Sequence, residues 1–120
     1  GSTALRGILT IFGPHVIRGN VINRVSGSGA AGIFLSSPDG VTVEDNNISQ
    51  ISGSGYGIRS QYPGGGTTSG NVVRNNVIQG TGAFGIDVDG TRDACFSNIV
   101  STGFATPLSG CAPSVGNQTF

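Results

Sequence analysis

The dipeptide Gly-Ile recurs at Gly7-Ile8, Gly32-Ile33, Gly57-Ile58 and Gly85-Ile86, with spacings of 25, 25 and 28 residues. A second signal, apolar-x-x-Asn-x-apolar, falls between these: "IRGNVI" (17–22), "VEDNNI" (43–48), "VRNNVI" (73–78) and "CFSNIV" (95–100). Its asparagines, Asn20, Asn46, Asn76 and Asn98, are spaced by 26, 30 and 22. Two independent signals that keep one order four times define a repeat. A period in the twenties admits a leucine-rich horseshoe or a parallel β-solenoid. The horseshoe needs a leucine framework, and Leu5, Leu9, Leu35 and Leu108 share no register. Short β-branched stretches broken by Gly, Asn and Ser sustain no helical period either. The repeat therefore predicts an all-β parallel β-helix of about four coils over roughly residues 5–104, with a stack about 19 Å tall at the usual strand spacing.

Composition agrees with one such domain over residues 1–120. Twenty-two glycines in a chain that is 36% hydrophobic are positional rather than low-complexity. The six basic residues, all arginine, balance six acidic ones. Zero net charge disfavours nucleic acid or an anionic membrane surface as partner, since both select a clustered positive field. No apolar run reaches the length that crosses a bilayer. Equivalent asparagines stacked at a turn are expected to hydrogen-bond along the axis and to tolerate its left-handed backbone. Each glycine before isoleucine marks a place where a side chain would clash or force an unfavourable φ.

"GVTVEDNNI…GYGIRS" and "NVVRNNVIQGTGAFGIDV" resemble the coils of right-handed parallel β-helix proteins, the pectate lyase-like superfamily, over residues 7 to about 104. The motifs specify a fold far better than a function, because that superfamily holds lyases, hydrolases, epimerases, tailspikes and non-catalytic surface proteins.

Alternation assigns the faces. Ile8, Ile33, Ile58 and Ile86 point inward, and so do Ile17, Val43, Val73 and Cys95. Outward rows are Leu9, Phe34, Arg59 and Asp87, then Ile11, Ser36, Gln61 and Asp89. Arg18, Glu44, Arg74 and Phe96 form a third, a ladder of exposed charges worth little individually.

The resemblance implies a substrate groove along one outer sheet, with carboxylates that hold a cation or move protons and an arginine that holds a uronate. Arg59, Gln61, Tyr62, Asp87 and Asp89 are the substrate-binding candidates on that reading, with "QYPGGGTTSG" (61–70) as a groove wall and Tyr62 stacking on a sugar ring. Asp87, Asp89 and Asp93 would supply oxygen ligands to calcium. The competing reading has Arg59 simply pairing with Asp87 on the next coil. "GIDVDG" resembles the strand motif of alginate epimerases but lacks their intervening histidine, and His15 stands about three coils away. Catalytic residues are not identifiable, and any activity would be lyase- or epimerase-like.

Cys95 and Cys111 are consistent with one disulfide in an oxidising, secreted or cell-surface setting, or with two unrelated thiols. The tail, 105–120, loses the repeat and is expected to cap the last coil irregularly, closing Cys95–Cys111. Sequons at Asn47 and Asn117 matter only in a eukaryotic secretory host. The other end shows no comparable cap, so the solenoid either continues a longer chain or pairs end to end as a homo-oligomer. Two function classes follow: a module that binds or processes an acidic polysaccharide, or a non-catalytic structural module that assembles through its open end.

Overall fold

A computed structural model describes residues 6–63, 70–89 and 92–120. The chain winds through three parallel sheets, each visited once per coil. The first holds β1 (Arg6–Ile11), β4 (Ala31–Ser36), β7 (Tyr56–Gln61), β10 (Phe84–Asp87) and β13 (Thr106–Ser109). The second holds β2 (Val16–Arg18), β5 (Thr42–Glu44), β8 (Asn71–Arg74), β11 (Asp93–Phe96) and β14 (Ser114–Val115). The third holds β3 (Val21–Asn23), β6 (Asn47–Ile51), β9 (Val77–Gly80), β12 (Ile99–Val100) and β15 (Gln118–Thr119). This is the expected parallel β-helix of about four coils. One element differs: the tail, expected to be irregular, follows the solenoid path and adds a short strand to each sheet. Its residues do not repeat the Gly-Ile signal, yet Leu108 stands in register with Ile86.

Three apolar columns face one another to make the core. Ile33, Ile58 and Ile86 descend the first sheet, Val43, Val73 and Cys95 the second, and Ile48, Ile78 and Val100 the third, all nearly or wholly buried. Each such side chain contributes about 1.5–3 kcal/mol on burial. The glycine before each isoleucine has a steric cause. A Cβ on Gly57 would lie 2.5 Å from the Gly85 carbonyl oxygen and 2.5 Å from Ile78 Cγ2, a core methyl. Gly57 and Ile58 thus both face inward, and only a residue without a side chain fits the first place.

The asparagine column is the polar counterpart. Asn46 donates from its backbone N–H and from Nδ2 to Asn76 Oδ1, at 3.0 and 2.9 Å, and from Nδ2 again to the Ile17 carbonyl at 3.0 Å. Asn76 repeats the pattern onto Asn98, and Asn98 onto Asn117. Every hydrogen-bonding site of the Asn76 amide is filled, which is how a wholly buried amide is tolerated. Two details correct the expectation. Asn117, read only as a sequon, is a fifth rung. The left-handed backbone belongs to the residue before each rung, namely Gly19, Asp45, Asn75, Ser97 and Gly116, with φ between 55° and 69°.

Candidate functional site

The outer face of the first sheet gathers the candidates. β7 and β10 pair with Tyr56 beside Phe84 and Arg59 beside Asp87. The Tyr56 and Phe84 rings stack at 5.2 Å between centroids and 9° between planes, and the Arg59 guanidinium carbon sits 4.1 Å from the Tyr56 centroid. On the coil above, Phe34 is covered by Arg6 at 4.1 Å, so this outward-facing ring is only 5% exposed. Cation and ring alternate because neighbouring coils lie one strand spacing apart, close enough for a guanidinium to lie flat on an aromatic face.

Arg59 and Asp87 are held together loosely. Nε stands 3.9 Å from Asp87 Oδ2, an electrostatic contact beyond hydrogen-bonding distance, with the side chains 23% and 27% exposed. Arg59 Nε is buried and has no hydrogen-bond partner among the described residues. Burial pushes the Asp87 carboxyl above the ordinary carboxylate range, while the Arg59 charge and a hydrogen bond with Ser109 pull the other way. A partly desolvated carboxyl beside a cation marks a place where ligand charge would be felt strongly.

The other candidates are placed differently. Gln61 ends β7, exposed, opposite Ser36. Tyr62 is no open stacking platform. Its hydroxyl donates to Asp93 Oδ1 at 2.5 Å and accepts from Asn71 Nδ2 at 2.9 Å, and Arg92 covers its ring at 4.4 Å. Burial, with Asp93 as neighbour, raises its hydroxyl pKa far above the ordinary value. Asp93 is only 1% exposed, and its two oxygens accept from Ser60, Tyr62, Asn71 and the Asp89 backbone N–H. That saturated carboxylate fastens the turn after β10.

Asp89 lies beyond β10 and leaves the row expected for it, with its carboxylate 3.8 Å from Arg92 Nε. The three aspartates therefore do not converge, and no group of three or more His, Cys, Asp or Glu suited to a metal occurs among the described residues. The donor set does not fit the calcium site expected from these positions, because Asp93 oxygens are already filled by donors and Asp87 turns to Arg59. Of the loop read as a groove wall, residues 64–69 lie outside the described residues.

A family profile for the right-handed β-helix region matches residues 6–120. This chain belongs to the right-handed β-helix family. No curated protein and no solved structure matches it. Cys95, inward on β11, is disulfide-bonded to Cys111 on the final turn. In the charge ladder Arg74 pairs with Glu44 at 2.9 Å, whereas Arg18 reaches Asp45 at 3.6 Å instead of Glu44. Sequence reasoning passed over Tyr56 and Phe84, although an aromatic stands directly before Gly-Ile in both "YGI" and "FGI". Strict alternation from Ile58 and Ile86 would turn these residues inward; two successive inward positions, glycine and isoleucine, turn them out.

Proposed function

We propose that this β-helix binds an acidic polysaccharide along the outer face of its first sheet, without processing it. Arg59 would take a ligand carboxylate, Gln61 and Ser109 would meet hydroxyls, and the stacked Tyr56 and Phe84 would form a rigid apolar floor beside them. One observation carries the reading: Arg59 is pinned flat over Tyr56 and tied only loosely to Asp87, with its side chain 23% exposed. With Nε sealed from solvent, the guanidinium would meet a ligand carboxylate through its terminal amino groups. The face offers one carboxyl beside an arginine, which suits recognition better than a paired acid and base. Calorimetric titration with oligouronates, with neutral oligosaccharides of equal length as control, tests it. Saturable heat for the acidic ligand that vanishes in Arg59→Ala is the expected result. Equal heats for acidic and neutral ligands, or none, would discard the reading.

A second reading, assembly through the open end, is favoured by the first coil. Among the described residues β1, β2 and β3 are edge strands of their sheets, and Leu9, Ile11, Phe12, Val16 and Val21 are exposed there. Edges of this kind invite strand addition.

A further inference from the structure

The corner leading from the third sheet to the first is not the same in every coil. Ile22 and Gly32 lie ten positions apart, Ile48 and Gly57 nine, but Ile78 and Gly85 only seven. The longer corners contain a bulge. Arg24 and Gln50 adopt left-handed backbone, φ 64° and 57°, and the register of β6 with β9 shifts between Ile48 and Ile51. Gly80 then passes so close to Ile51 that a Cβ there would lie 2.9 Å from the Ile51 nitrogen. Two coils swell outward and the third cuts inside them.

The step between them is a cavity of 310 Å³, bounded by Arg24, Ser26, Gln50 and Ser52 on the bulged coils and by Gly80 and Thr81 on the short one. Its volume is at the lower end of small-molecule sites, about 300–1,000 Å³, so it suits a single compact ligand and not a stretch of polymer. Among the described residues Arg24 is the one charged side chain in the lining. Its Nε donates to Gln50 Oε1 at 3.2 Å, which orients the guanidinium and leaves its two terminal amino groups, and Gln50 Nε2, unused among the described residues. Two parallel N–H groups match a carboxylate. The hydroxyls of Ser26, Ser52 and Thr81 are donors and acceptors suited to ligand hydroxyls.

We propose that this notch binds a small polyhydroxylated carboxylate the size of one acidic monosaccharide. Arg24 takes the carboxylate, and Gln50, Ser26, Ser52 and Thr81 take the hydroxyls. The site is separate from the Arg59 face and does not depend on the function proposed for it.

The test follows backbone amide shifts by NMR during titration with D-glucuronate, D-glucose and sodium sulfate. The variants are Arg24→Asn, which keeps a residue tolerant of left-handed backbone, and Arg59→Ala. Glucuronate should shift the Gln50, Ser52 and Thr81 amides saturably. Arg24→Asn, with its amide spectrum otherwise intact, should weaken this at least about tenfold, the scale of a lost charged hydrogen bond, while Arg59→Ala leaves it unchanged. Absence of saturable shifts at these amides overturns the proposal. So does glucose binding as tightly as glucuronate, or sulfate doing so, since either would remove the sugar acid from the account.

Discussion

Asn76 shows what a single side chain does in this fold. Replacing it with alanine removes the acceptor of the Asn46 N–H and of one Asn46 Nδ2 hydrogen, and takes the amide donor from the Val43 carbonyl and from Asn98 Oδ1, which keeps only the backbone N–H of residue 76. Because buried polar groups left unpaired are costly, Asn76→Ala should lower stability by about 2–4 kcal/mol in urea unfolding. Its neighbour Asn75, exposed at φ 55°, should tolerate glycine with little change. The recurrence of Asn made the column legible in sequence. Which residue would take the strained backbone was not, since Asp45, Asn75 and Ser97 share no residue type. Asp87 adds a pH dependence. Its folded pKa is raised, so folding takes up a proton between the ordinary carboxylate value and that raised value. Stability therefore increases as pH falls through this window, and the penalty is fully present above it. Ionised Asp87 would also repel an acidic ligand at Arg59. Affinity for an oligouronate should accordingly rise as pH drops through the same window, and Asp87→Asn should bind more tightly at neutral pH with that part of the pH profile flattened. An unchanged profile in the variant would remove Asp87 from the site.

At the level of strands and corners, the glycine before isoleucine is the feature most sensitive to change. Gly57→Ala places a methyl against backbone and a packed isoleucine, so a loss of about 1–3 kcal/mol is expected in thermal or urea unfolding. Gly19→Ala is the contrast. Open space surrounds it, leaving only the left-handed φ of 69° to cost about 1 kcal/mol. The final turn depends on a covalent tie as well as on strand pairing. Cys95 and Cys111 are 16 residues apart, a loop whose closure is worth about 3 kcal/mol, and Cys111→Ser should lower the unfolding midpoint accordingly. The repeating elements were legible because core periodicity survives in Val and Ile. The last turn was hidden, since β13, β14 and β15 are short, with Leu108 for the isoleucine of the first sheet and with Ser114 and Thr119 opposite the core residues Cys95 and Val100. The polar network around Asp93 was equally opaque: Ser60, Tyr62, Asn71 and Asp93 meet across sequence separations of up to 33 residues, and no local spacing announces it.

The molecule as a whole is a stack whose two ends differ. Val21 is 80% exposed and Val16 67%, both on strands that pair on one side only among the described residues. If that end is an assembly surface, the mass measured by light scattering should climb with concentration without levelling at two chains, and Val16→Lys with Val21→Lys should hold it at one. A wild type that stays monomeric at millimolar concentration would end the assembly reading and leave the outer faces as the place of function. The absence of a plateau at two chains is a matter of symmetry. Along the asparagine column the hydrogen bonds all run one way: Asn20 Oδ1 accepts nothing among the described residues, while at the other end the Asn117 N–H donates to nothing. A two-fold axis would set acceptor against acceptor, or donor against donor. Only a copy related by rotation and translation along the coil axis can continue the column, and an operation of that kind never returns to its start.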